Sequence, residues 1–310
     1  MKHVSECAGR TLRTLLALLL LAGSASVHAA EFEQTLAADP DGEVEVRNLA
    51  GSVRVSGWDR AEVAILARLE SGQDVDVKAR NGRILIEVSQ SDQRRPREAH
   101  LELRVPRQTS LRISAISADL ETDEVLGDLH LQTVSGSVDS RGFGSNIEAQ
   151  TVNGHIRVHG SGRPGRVELG TVNGAIHVEN AAGRLELSTV NGNVEIAGGH
   201  FERVRLNGVN AAIRGHLQLT DDGRFEADSV SGSLAIRLPA DLPARFDLNS
   251  FSGRIQPCNG HTAERASRHV PGSRLVFTRG AGTAVVRARS MSGEIALCEP
   301  AAIGGTASPG

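Results

Sequence analysis

The sequence predicts an all-β protein: a stacked β-repeat of the β-solenoid or β-helix kind, with rungs of 18–21 residues and an N-terminal β cap. Three observations carry this. The stretches TVNGHIRV, TVNGAIHV and TVNGNVEI begin at Thr151, Thr171 and Thr189, so one chain writes nearly the same eight residues three times. Aligned on the turn residue of each copy, ten copies emerge, at Gly51, Ala118, Gly136, Gly154, Gly174, Gly192, Ala211, Gly232, Gly253 and Gly293. From Ala118 to Gly253 the steps run from 18 to 21 residues, and the last step is 40. Repeats at such a fixed period are the mark of stacked architectures. Thirdly, the positions seven and five before each turn and two after it are apolar in almost every copy. That alternation is the period of a half-buried strand, and no helical period appears beyond the first thirty residues.

In chain order, Arg10, an apolar run from Leu12 to Ala22 with Arg13 near its start, and a small-residue stretch ending Val27-His28-Ala29-Ala30 have the order of a secretory signal peptide over residues 1–29. The run is about half the roughly 20 residues a membrane-spanning helix needs. The sequence therefore predicts export to the periplasm or beyond, with no membrane span once the signal is removed. Without residues 1–29 the chain keeps 31 basic and 36 acidic residues, a balance that gives no electrostatic case for nucleic acid or anionic lipid.

Residues 30–110 hold the first copy and strand-like runs at Glu62–Leu69, Val75–Lys78, Arg83–Val88 and Leu101–Val105, and read as the N-terminal β cap that shields the first rung of an array. The polar stretch Ser89 to His100 reads as a loop, and Trp58 as a cover for the end of the core. Residues 111–298 form the repeat stack, and 299–310 a flexible tail.

The turn motif explains the repetition. Asn153, Asn173, Asn191 and Asn210 open four of the turns and Ser135, Ser231, Ser252 and Ser292 four others, followed nearly always by Gly. Asn and Gly accept positive φ at low cost. In a meander Asn-Gly closes a hairpin. In a stack it turns a corner, and Asn153-Gly154, Asn173-Gly174 and Asn191-Gly192 form a structural ladder along the axis. The outward positions Asp139, Arg157, His177, Glu195 and Arg214 bring opposite charges together if successive copies are neighbours, which favours the stack.

Cys258 and Cys298 lie five residues after Gly253 and Gly293, at one offset of the repeat. Neighbouring strands place Cα atoms within disulfide range, and an exported chain meets an oxidising compartment, so a Cys258–Cys298 disulfide is expected at the C-terminal end.

Catalytic, cofactor and metal constellations are not found. Gly160-Ser-Gly-Arg-Pro-Gly165 precedes a strand-like run rather than a helix, so the helix N-terminus that would hold phosphate is missing. His100, His130, His155, His159, His177, His200 and His216 fall at different repeat offsets and read as surface residues. Asp221-Asp222-Gly223 reads as an acidic turn rather than a carboxylate pair. With Trp58, seven Phe and no Tyr, aromatic platforms for sugars are scarce.

The order of pieces, VEVRNLAGSVRVSGWDRAEVAI, then LRVPRQTSLRISAISADL, then the TVNG series, then LPADLPARFDLNSFSGRI, resembles the bacterial adhesin-type family of unknown function related to the toastrack domains of the cell envelope. The resemblance spans roughly Glu43 to Leu297 and implies a right-handed or similar stacked β-repeat with no catalytic residues to carry over. The function expected is a non-enzymatic, adhesin-like binding or scaffolding protein of the bacterial envelope, its partner an envelope protein or glycan. The alternatives are a regulatory partner in envelope-stress signalling, docking through the loop at Arg94 to Arg97, and, third, a polysaccharide-active β-helix enzyme.

Overall fold

The computed structural model describes residues 30–91, 96–256, 258, 260–265 and 271–297. Twenty strands join in one hydrogen-bonded sheet. The N-terminal part supplies β1 (Ala30–Ala37), β2 (Glu43–Trp58), β3 (Glu62–Leu69), β4 (Gln73–Arg80), β5 (Arg83–Gln90) and β6 (Ala99–Pro106). The repeats supply β7 (Ser110–Asp123), β8 (Leu129–Gln132), β9 (Val138–Phe143), β10 (Asn146–Asn153), β11 (Ile156–Gly160), β12 (Pro164–Asn173), β13 (Ile176–Glu179), β14 (Ala182–Ser231) and β15 (Ser233–Arg237). The C-terminal part supplies β16 (Ala244–Ser250), β17 (Glu264–Arg265), β18 (Ser273–Thr278), β19 (Ala284–Ser290) and β20 (Glu294–Ala296).

Equal repeat offsets are spatial neighbours, and the strands run parallel. Leu111 pairs with Leu129, Leu129 with Ile147, Ile147 with Val167 and Val167 with Leu185. Leu120, Val138, Ile156, Ile176 and Val194 make the matching row after the turn. Both rows are buried, so each copy adds apolar side chains to one continuous core. In β2, β7 and β14 the strand runs unbroken through the corner, so the residues on both sides of the turn belong there to one long strand.

The four runs between the first and second copies are β3 to β6. The first repeat is an inner rung: β2 lies parallel to β7 on one side and to β5 and β6 on the other. Beyond them the direction reverses, with β4 antiparallel to β5, β3 antiparallel to β6, and β1 antiparallel to β3. Trp58 is half-buried and donates its indole N–H to the Glu62 carbonyl at 2.8 Å. Arg60 and Arg104 lie 5.0 and 5.9 Å from its ring centroid.

At the C-terminal end the order of rungs departs from the order of the chain. β14 pairs in parallel with β19, Phe225 opposite Val286, and the other edge of β19 pairs with β16, Val286 opposite Phe246. The Gly293 repeat is thus inserted between the Gly232 and Gly253 repeats, and the 40-residue step from Gly253 to Gly293 carries β17 and β18 beyond β16 before the chain returns to β19. β18 then closes the stack antiparallel to β16, with Phe277 stacked on Phe246 at 4.5 Å and His261 on Phe277 at 4.6 Å.

The turn glycines are required for a reason the sequence reading did not identify. Of those in the turn column, only Gly51 and Gly232 take positive φ, at 106° and 117°, and they neighbour the two alanines of the column, Ala118 and Ala211. Elsewhere the requirement is close approach. A Cβ on Gly154 would lie 1.9 Å from the Gly136 carbonyl oxygen, and one on Gly174 or Gly192 would lie 1.8 Å from that of Gly154 or Gly174. The asparagines keep negative φ and bond along the axis instead. Asn173 Nδ2 donates to Asn153 Oδ1 at 2.9 Å, Asn191 to Asn173 at 3.0 Å and Asn210 to Asn191 at 3.1 Å.

A threonine three residues before the turn forms a second ladder. Thr133, Thr151 and Thr171 donate their hydroxyls to the carbonyls of Ala118, Gly136 and Gly154 at 3.0, 3.0 and 3.2 Å. Thr189 ends the ladder with a buried hydroxyl that has no partner. Thr171→Val is therefore expected to cost about 1 kcal/mol, while Thr189→Val, which removes an unsatisfied group, is neutral or stabilising. Urea midpoints of the two variants check the contrast.

One acid is buried beside the first rung. Burial pushes the Glu45 carboxyl upward, but hydrogen bonds and charge from Arg83 and Arg47 outweigh it and hold the pKa below the ordinary value. A lowered folded-state pKa stabilises above the unfolded value, and that contribution fades as pH falls through the folded one. Between about pH 5 and 3 the wild type is expected to lose more stability than Glu45→Gln, as read from urea midpoints across that range.

Candidate binding column

Alternation places the residue seven before the turn inward, then the residues five and three before it. The residue two before the turn therefore points to solvent, and in every copy it is apolar. Among the described residues ten large hydrophobic side chains are strongly exposed, and nine of them are this one column: Ile116, Val134, Val152, Val172, Val190, Val209, Val230, Met291 and Phe251 in stack order. Their exposures run from 37% to 58%. Single exposed apolar residues are ordinary, whereas a contiguous row is the mark of an interaction surface.

The column forms one wall of a groove of about 1110 Å³ along the stack. Its floor is the threonine row, and its other wall is the column four before the turn: Ser114, Gln132, Gln150, Gly170, Ser188 and Asn207, then Asp228 and Arg289. Over the first six rungs of the groove these two walls carry no charge. The next column out is charged almost throughout, with Arg112, His130, Glu148, Glu168, Glu186, Arg205, Glu226, Arg287 and Asp247. Neutrality is thus confined to the strip beside the valines. The strip offers methyl groups, amides and hydroxyls to something elongated.

The residues singled out from sequence fall elsewhere. Asn153, Asn173 and Asn191 lie one residue beyond the valines, at the rim. Gly154, Gly174 and Gly192 form the corner beneath. Arg157 and His177 pair across neighbouring strands, as do His177 and Glu195, which approach to 3.4 Å. His130 meets Glu148 at 3.1 Å and His159 meets Glu179 at 3.2 Å, so these histidines pair with acids. Among the described residues no group of three or more His, Cys, Asp or Glu could hold a metal ion. No helix among them is long and apolar enough to cross a membrane.

Residues 1–29, Arg94, Arg95, Cys298 and the tail lie outside the described residues. Arg97 is described, and its backbone binds the Gln73 and Gln90 side chains at 2.9 and 3.2 Å. Cys258 is buried, with 1% exposure, and forms a backbone bridge with His261.

The valine column was not identified from the sequence, although TVNG contains it. The signal was parity: an apolar residue on the solvent side of an alternating strand, in all ten copies, Leu49 included.

The parallel stack of corner-turning rungs with one apolar outer column defines a β-solenoid-like repeat protein. The chain belongs to the Toastrack DUF4097 family, whose model matches residues 36–298. No curated protein matches it. Among solved structures it is similar to a candidate adhesin from Bacteroides fragilis NCTC 9343, at 9% identity and a TM-score of 0.39, covering 87% of this chain and 97% of that one. It is also similar to a candidate cell adhesion protein from Clostridium sporogenes ATCC 15579, at 11% identity, a TM-score of 0.22, and 86% and 99% coverage. A candidate lipid binding protein from Parabacteroides distasonis ATCC 8503 has 9% identity, a TM-score of 0.32, and 86% and 96% coverage. These similarities carry no functional argument.

Proposed function

We propose that this is a non-enzymatic, exported docking protein of the bacterial cell envelope, which engages an elongated partner along the column two residues before the turns. One observation carries the reading: nine of the ten strongly exposed large hydrophobic side chains stand in a single file. Rung backbones are already hydrogen-bonded to the rungs on either side, so the partner is recognised by side chains and not by strand addition. The export step rests on the leader expected at residues 1–29 from the order of their charged, apolar and small residues. A photoreactive residue at Val172 is expected to capture a partner in cells, while one at Glu195, after the turn of the next rung, captures none. Equal capture at both positions, or none at Val172, contradicts the reading.

Export also supports the disulfide. Ile255 and Ile295 form a parallel bridge three residues before each cysteine, which brings the two chain segments side by side. We infer that Cys258 and Cys298 are joined there and tie β16 to β20, locking the inserted rung. Peptide mapping without reductant is expected to recover one linked pair, and Cys258→Ser to cost about 2–5 kcal/mol. Alkylation of both thiols without reductant contradicts the bridge.

A further inference from the structure

We propose that the partner on this column is a second copy of the same chain, the two stacks lying parallel about a two-fold axis that runs along the stack. The proposal rests on the reading of the column as a docking surface and names its occupant. Depletion of charge with Met and Phe present, here Met291 and Phe251, is the composition of a protein interface core rather than of a sugar platform.

The shape is self-complementary. The valine ridge stands beside the groove, so a two-fold axis between them lays each ridge in the partner's groove. Every rung then faces its own counterpart, and the rung spacings match by construction, as an isologous interface requires. The same operation sets the column six before the turn against the column one after it. Arg112 then faces the partner's Asp119, Glu148 the partner's His155, Arg287 the partner's Glu294, and Asp247 the partner's Arg254. On the other rungs a charged or histidine side chain faces Ser, Ala or Asn, and no rung opposes like charges.

Size is also sufficient. Nine rungs at about 4.8 Å give a strip of roughly 38 Å. A standard interface of about 800 Å² per partner therefore needs a width of roughly 21 Å, or about six residues of strand at about 3.3 Å each. The strip from six before the turn to one after it spans that width.

Light scattering on the protein as recovered from expressing cells is expected to give twice the chain mass. Val172→Glu with Val190→Glu is expected to halve it, leaving the far-ultraviolet circular dichroism unchanged. Val172→Thr with Val190→Thr, close in shape, guards against misfolding and weakens association less. Single cysteines at Val134 or Val230 are each expected to cross-link copy to copy, whereas a mixture of the two yields no cross-product. A cross-product overturns the parallel arrangement, and a native protein of one chain mass overturns self-association. If that monomer still gives selective capture of a different molecule at Val172, the docking column stands and the self-partner falls; with no capture, both fall.

Discussion

Gly174→Ala is expected to destabilise the protein by about 3 kcal/mol or more, the upper range for forcing atoms into a packed interior. The new Cβ would lie 1.8 Å from the Gly154 carbonyl oxygen and 2.7 Å from its carbon, and it would meet backbone on the neighbouring rung, which has no rotamer to yield. Relief requires the rungs to part at that corner, which also stretches the Asn173 links to Asn153 and Asn191. Gly170→Ala is the control: it lies in the same rung, its nearest neighbour is the Ser188 hydroxyl at 3.1 Å, and a serine side chain can turn aside. A Cβ in an extended strand also relieves the entropic cost of glycine, so Gly170→Ala is expected to change stability by under about 1 kcal/mol. Urea titrations of the pair decide whether close approach, rather than positive φ, fixes the corner.

Val286→Asp is expected to unfold the C-terminal third of the stack. Val286 is 0% exposed and sits between Phe225 on β14 and Phe246 on β16. An unpaired carboxylate there costs several kcal/mol whichever way it protonates. Because β19 is the rung that joins β14 to β16, its loss also strands β16 and β18. Val276→Thr, at 46% exposure on the outer strand β18, is expected to be near neutral. If the rungs stacked in chain order, Val286 would lie on the last rung and the damage would stop there. Hydrogen exchange across β16, β18 and β19 distinguishes the two: protection lost in all three supports the inserted rung, and loss confined to β19 and β20 contradicts it.

Much of the fold was legible because stacking writes a period into the sequence. Leu111, Leu129 and Ile147 share one offset, and each is buried against the next. The order of the last two rungs was not legible. Offsets fix which residues share a column, and both Phe246 and Val286 satisfy the column, but nothing in the offset says which stands on Phe225. The chemistry of the turn was half legible: the Asn ladder follows from equal offsets, while the glycine requirement depends on interstrand distances that no single copy contains. The valine column was in plain view and was missed because apolar residues in strands are read first as core.

Met291 is a built-in reporter of that column. It is 58% exposed in the isolated chain, and Met1 is the only other methionine in the sequence. Thioether oxidation follows exposure. The most direct measurement is the rate of sulfoxide formation at Met291 under a fixed peroxide dose, in the native protein and in the variant carrying Val172→Glu and Val190→Glu. A covered column predicts slow oxidation in the native protein and several-fold faster oxidation in the variant. Equal rates in both would show that no second copy covers the column and would contradict self-association through it.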